Sequence, residues 1–218
     1  MSQDDAERRA LRSLHKESQY QLELLRQLLS DPTHQVEGEI EISDGTVARR
    51  ALALQSRCLR RLTSGHATNP MAVRRLRELV KAAEELRLAS RHAVKVSHHA
   101  RRLRYRRPQS HYNFSHLLGE VINIAGTSQD YADSSTLSDS HMQSVRAILG
   151  FSPTAAGDPA CLEALIIADH LERIGRLLIE YRAAARAEND LDRKLQPLPG
   201  SVAPPDDQGK LADKWQCL

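Results

Sequence analysis

Aromatic side chains are scarce in this chain: two Phe, five Tyr and one Trp make up only 4% of 218 residues. With Leu, Ala, Arg and Glu abundant, that shortage weighs against sheet and toward helix by propensity. Glycine and proline are sparse until the last thirty residues, so little interrupts a helical pattern. An all-α fold follows. Charge of one sign is lacking as well. A formal net charge of +3 is small for this length and does not by itself mark a nucleic-acid binder. Cys58, Cys161 and Cys217 form no C-x-x-C pair, and the first two sit among apolar helical residues as small core side chains. Nothing argues for an oxidising compartment. The opening segment MSQDDAERRALRS has no apolar run of a secretory signal, and no stretch approaches the roughly 18 apolar residues of a membrane span. The expectation is a soluble, cytoplasmic protein. Catalytic motifs are missing too: no G-x-S-x-G, no phosphate-cradling P-loop and no cysteine spaced from a histidine for nucleophilic work, so no enzyme is expected.

What is present is helical periodicity in two sets of three. The first helix reads from Ala6 to Ser30, with Leu11, Leu14, Ser18, Leu22, Leu25 and Leu29 on one face, and Pro32 ends it. Residues 31–46 read as a connection, in which Glu37 to Ile42 could add a short element. A second helix spans Asp44 to Ser64, with Ala48, Ala51, Leu52, Cys58, Leu59 and Leu62 inward. The third starts at Pro70, a favoured first helical position, and runs to Arg104. Its Leu79, Leu86, Ala93 and Ala100 recur at seven-residue spacing, and a helix that long suits a bundle. The fourth covers Ser110 to Asp133. The fifth opens at Ser138 as cap and uses Met142, Val145, Ile148 and Leu149. The sixth begins near Pro159 and reaches Asn189. Two three-helix bundles are expected, at residues 1–108 and 109–189, followed by a disordered, Pro-rich tail at 190–218. Leu211, Trp215 and Leu218 in that tail leave docking open as an alternative.

The most distinctive stretch is ADHLERIG, Ala168 to Gly175. Around it Ile167, Leu171, Ile174, Leu178 and Tyr181 form an apolar stripe. Asp169, Arg173, Arg176 and Glu180 line the opposite face with Glu172 beside them, an amphipathic bundle helix. The segment resembles the A-x-D-L-E-R-I-G-D signature of the PhoU family. In the first set, His92-Ala-Val-Lys-Val96 is similar to the H-A-V-N-I that follows that signature. Aligned so, Glu85 and Leu86 match its D-L, while Arg87 stands for its glutamate, Ser90 for its glycine and Arg91 for its final aspartate. In the second set Asp169, Leu171, Glu172, Arg173, Ile174 and Gly175 match, with one residue displaced before Leu171, and Arg176 again replaces an aspartate. The resemblance implies two sequential three-helix bundles and a divergent PhoU-like regulator. Such a protein restrains phosphate uptake and signalling by contacting a phosphate transporter and its sensor histidine kinase. A homodimer stays open, and DNA is not the expected partner.

Members of that family can bind iron or zinc clusters through the carboxylates of these motifs. Here Arg87, Arg91 and Arg176 replace most of them, and a guanidinium cannot ligate a cation. No cofactor and no metal-ligand set is therefore expected at Asp169, Glu172, Arg176, Arg87 and Arg91. The ordinary reading of the sixth-helix charges is a pair of i,i+4 bridges, Asp169–Arg173 and Arg176–Glu180, each contributing about 0.2–0.5 kcal/mol. Ten histidines include His116, four before Glu120, and the adjacent His98 and His99, without the further ligands of a metal site. On the third helix Arg77, Lys81, Arg91, Lys95 and Arg102 share one outward sector with His98, interrupted by Glu84 and Leu88. That row is either a solvated face or a docking surface. As a docking surface it gives the alternative function, a helical adaptor whose basic face binds an acidic protein or nucleic acid.

Overall fold

Short polar residues set where the helices begin. Asn69 Oδ1 accepts the backbone N–H of Met71 at 2.9 Å, ahead of Pro70. Asn113 does the same for Ser115 at 2.8 Å, and Asp158 for Ala160 at 3.0 Å, ahead of Pro159. Each side chain satisfies one of the N–H groups that a first helical turn leaves open. The structure, a computed structural model, describes residues 3–30, 34–64, 69–106, 112–126, 134–150 and 158–195. In these lie six helices and, among the described residues, no strand: α1 (Gln3–Ser30), α2 (His34–Thr63), α3 (Pro70–Arg106), α4 (Ser115–Gly126), α5 (Ser134–Gly150) and α6 (Pro159–Leu195).

Helices α1, α2 and α3 all pack on one another, as do α4, α5 and α6, giving the two three-helix bundles expected. The most extensive contact is between α3 and α6, and α1 also touches α4. One continuous apolar cluster therefore runs through both sets, from Leu11 on α1 to Ala184 on α6. Leu79, Leu86, Ala93 and Ala100 on α3 and Ile167, Leu171, Ile174, Leu178 and Tyr181 on α6 are all buried in it. Buried alanines of α3 and α6, among them Ala93, Ala164 and Ala168, keep the two helices close. At the α1–α4 junction, Gln19 Nε2 donates to the Ala125 carbonyl at 3.0 Å, and His15 Nε2 lies 3.0 Å from the same oxygen. Ala125 is in the last turn of α4, where the helix offers its own carbonyls no N–H partner.

Several boundaries differ from expectation. α2 begins at His34, so the stretch read as a connection is helix through Gly38 and Gly45. Val36, Ile40, Ser43 and Val47 fall at four- and three-residue steps on the inner face, with Ile40 and Val47 fully buried. Their burial offsets the roughly 1 kcal/mol that each helical glycine costs against alanine. α4 starts at Ser115, not Ser110, because Asn113 is its cap; its continuation toward Asp133 falls in 127–133, outside the described residues. α5 starts at Ser134, which places Ser138 inside the helix and not at its cap. Its inner face is Leu137, Ser140, Ser144 and Ile148, while Met142 and Leu149 are exposed. Small serines let α5 lie close to its neighbours, a face that apolar pattern alone misses. α6 continues through Asn189 to Leu195. Residues 107–111, with the boundary read at 108, and 196–218, with most of the expected tail, lie outside the described residues.

Cys58 and Cys161 are both buried, and neither forms a disulfide. Burial pushes the Cys58 thiol up to about 12, so it behaves as a small apolar side chain and not as a nucleophile. No helix of the described residues is long and apolar enough to cross a membrane.

Candidate functional site

The five cations singled out on α3 are all exposed: Arg77, Lys81, Arg91, Lys95 and Arg102. Their offsets of four, fourteen, eighteen and twenty-five residues from Arg77 bring them back to one helical sector of net positive charge, interrupted by Glu84 seven residues from both Arg77 and Arg91. Among the described residues none of the five has a carboxylate within ion-pair distance. The neighbouring Arg87 differs. Its Nε and Nη2 reach Glu84 at 2.9 and 2.5 Å, and Glu84 also accepts from Gln55 of α2 at 3.0 Å. The Arg87 hydrogen bond holds the Glu84 carboxyl down at about 2. Arg87 is thus paired on its own helix, while the row beside it makes no close ion pair among the described residues, although Arg91 acts on Glu84 and Lys81 on Glu85 at longer range. His98, at the edge of the row, reaches Glu41 of α2 at 3.1 Å.

On α6 the charges pair differently from the two i,i+4 bridges expected. Arg176 bonds back to Glu172, its Nε and Nη2 both on Oε1 at 2.9 and 2.6 Å, and not forward to Glu180. The same guanidinium donates to Ser138 Oγ of α5 at 3.3 Å, and His141 Nδ1 lies 3.3 Å from the other Glu172 oxygen. α5 thus draws Arg176 toward Glu172. Asp169 lies 3.8 Å from His170 Nδ1, in place of the expected bridge to Arg173. Within the same motif, a Cβ added to Gly175 would sit 2.7 and 2.8 Å from the two methyls of Leu137, which is itself buried. Glycine is what lets α5 press onto α6 at that turn.

These residues do not fit a cation. Both oxygens of Glu172 already face nitrogen donors, and Arg87 and Arg176 hold positive charge where anionic oxygens would be needed. Among the described residues no group of three or more His, Cys, Asp or Glu is arranged to hold a metal ion. His116 is exposed on α4.

A second feature lies where α3 and α6 run antiparallel. Arg75 Nε and Arg8 Nε both donate to Glu188 Oε1, at 2.7 and 3.0 Å, with Arg75 and Glu188 buried. Further along, Glu85 meets Glu180. Burial first, and then the Glu180 charge, raise the Glu85 carboxyl above its ordinary value. His92 Nδ1 and His170 Nδ1 are 3.2 Å apart, and His99 Nδ1 is 2.5 Å from Glu163 Oε2. Burial, the facing His170 and the cations Lys95 and Arg173 bring His92 down to about 4, and burial lowers His170 as well. The seam thus alternates ionic, carboxyl and imidazole pairs. Sequence reading missed it, although a signal existed: Glu78, Glu85, His92, His99 and Arg106 each immediately precede or extend the seven-residue series Leu79, Leu86, Ala93 and Ala100. That position borders the core, where long polar side chains meet across a helix pair.

No protein-family model and no curated protein matches the sequence. Structure is more informative. The chain superposes on the crystal structure of PhoU from Pseudomonas aeruginosa with a TM-score of 0.70 at 16% identity, over 87% of this chain and 97% of that one. The order and packing of its two three-helix sets are those of a PhoU-like fold.

Proposed function

We propose that this chain is a PhoU-like regulator of phosphate uptake and phosphate-responsive signalling, acting by protein–protein contact and not by catalysis. In this reading it binds a phosphate transporter and a sensor histidine kinase in the cytoplasm. The observation that carries the reading is the exposed row Arg77, Lys81, Arg91, Lys95 and Arg102, left without carboxylate partners among the described residues of a PhoU-like fold. Net positive charge on a 37-residue helix speeds encounter with an acidic surface, an effect that weakens as salt rises through physiological strength, where the Debye length is about 8 Å.

The test is genetic and biochemical together. Deleting the gene should raise phosphate uptake in phosphate-replete cells, and the wild-type gene should restore it. R91E/K95E should fail to restore it and should lose captured transporter or kinase components, while helicity and melting temperature stay near wild type. Exposed charge swaps shift stability by only about 0.5 kcal/mol, so misfolding would mean the row is packed against something. Unchanged uptake on deletion removes the phosphate role. Salt-sensitive retention on duplex DNA in place of protein capture would favour the nucleic-acid adaptor.

A further inference from the structure

The outward face of α2 is left over once the fold is accounted for. Leu52 and Leu59, read from sequence as inward, are 56% and 52% exposed, and Ile42 is 72% exposed. The inner face is filled by Ile40, Val47, Ala51, Leu54 and Cys58 instead. From Gly45 to Ser64 the helix carries no acidic residue and five arginines. Arg50 and Arg61 turn to α1, where they meet Glu17 and Glu7. Arg49, Arg57 and Arg60 do not. Each donates its Nε to the carbonyl four residues back on its own helix, at 3.2, 3.3 and 3.3 Å, and none has a carboxylate in reach among the described residues.

The position of the two leucines gives this face a direction. Gln55 of α2 donates to Glu84 of α3, and Leu52 and Leu59 flank Gln55 at three and four residues, on the same side of the helix. They therefore line the α2–α3 groove. One wall of that groove carries Arg49 and Arg60; the other carries Arg77, Lys81 and Arg91 of α3, with Glu84 between them already bonded to Arg87 and Gln55.

Two exposed leucines between walls of net positive charge select their own complement. We propose that this groove binds an amphipathic helix of a protein partner, apolar along one stripe and acidic on both flanks. The seven-residue step from Leu52 to Leu59 is about 10 Å along the axis, which matches apolar residues seven apart on the incoming helix. The inference rests on the protein-binding reading above and names the partner's chemistry.

A fluorescent, hydrocarbon-stapled peptide of about three heptads, with Leu at the a and d positions and Glu at e and g, is the probe. Anisotropy titrations should show binding to the full chain that weakens with salt, and no binding by the same peptide with Lys in place of Glu. L52S/L59S and, separately, R49E/R60E should each weaken binding by about tenfold or more, with unchanged circular dichroism, since two exposed leucines lose their burial or two charges reverse. Peptide binding indifferent to L52S/L59S would overturn the groove while leaving the acidic-partner reading intact. Absence of peptide binding also overturns it, whereas loss of cellular capture by R91E/K95E is judged independently. Should sedimentation show that L52S/L59S instead dissociates an oligomer, the leucines belong to a second copy and the inference fails.

Discussion

The corresponding turns of α3 and α6 solve one packing problem with opposite chemistry. On α6, Gly175 removes a side chain so that the buried Leu137 of α5 can lie against the backbone. On α3, Ser90 stands at the matching place, buried, and its hydroxyl donates to Asp44 of α2 at 2.8 Å. One neighbour is held by apolar contact and the other by a charge-assisted hydrogen bond, which needs a little more space between helices. The arginines follow the same division. Arg176 crosses toward α5 through Ser138, whereas Arg87 stays on its own helix with Glu84, a residue that also ties α3 to Gln55 of α2. A repeated architecture therefore does not require repeated contacts. Each bundle has kept the close approach and changed what fills it.

The largest expected loss comes from the feature joining the two sets. Glu188→Ala removes the common acceptor of Arg75 and Arg8 and leaves a buried guanidinium without it, at a cost of about 3–5 kcal/mol in chemical denaturation. A loss below 1 kcal/mol would mean that this end of the seam is wet.

Next come the two sides of the Gly175 contact. Leu137→Ala should cost about 2–5 kcal/mol as a core cavity. Gly175→Ala should cost about 1 kcal/mol, because the strain of overpacking exceeds the gain in helix propensity. Combined with Leu137→Ala, the added methyl should become neutral or stabilising, since the space it needs is then open. The cleanest contrast is Ser90→Gly, which should not benefit α3, because the Asp44 hydrogen bond is lost with nothing gained. Additive Gly175 and Leu137 effects would refute the close-approach account.

How much of this was legible beforehand depends on which signal carried it. The six periodicities, the helix starts at Pro70 and near Pro159, and the buried stripe of α6 were readable because apolar spacing and proline's preference for a first turn are local. Gly38 and Gly45 misled the start of α2, since local propensity says nothing of the inward positions Ile40 and Val47. Leu52 and Leu59 misled its inner face. They are apolar and helically spaced, yet a different stripe packs better, and only tertiary contact decides between two candidate faces. The basic row was legible as a sector of α3, and its exposure agrees with that reading. The seam pairs were not, because Glu85–Glu180, His92–His170 and Arg75–Glu188 depend on the register of two helices far apart in sequence.

That seam makes a smaller, signed prediction. His92 is held neutral in the fold down to about 4, while in the unfolded chain it takes up a proton near 6.5. Between those values the unfolded state binds more protons, so stability falls as pH drops from 6.5 toward 4, and His170 adds in the same direction. Glu85 opposes them. Its raised carboxyl makes the folded state the better proton binder above 4.5, a contribution fullest in acid and lost as pH rises. Melting temperatures from pH 7 to pH 5 should therefore flatten in His92→Gln and steepen in Glu85→Gln. Equal slopes in wild type and both variants would mean that the seam is open to solvent.

The smallest expected effect is a null, and it bears on both motif turns together. A carboxylate-rich site would make Glu172→Ala lower the metal content of the protein. Here Glu172 is already matched by the Arg176 guanidinium at 2.6 Å and by His141 at 3.3 Å. On α3 the corresponding places are arginines, whose fixed charge raises the energy of any nearby cation. Protein purified without added metal should carry only substoichiometric iron or zinc by plasma mass spectrometry, and Glu172→Ala should leave that amount unchanged. Reversing the charge sharpens the comparison. Arg176→Asp restores an acidic partner four residues from Glu172 on one helix face, whereas Arg91→Asp leaves Arg87 in place beside it. Any gain in metal uptake should therefore arise from the α6 substitution and not from the α3 one. Uptake by both, or stoichiometric metal in the unmodified protein, would show that the arginines do not control the site.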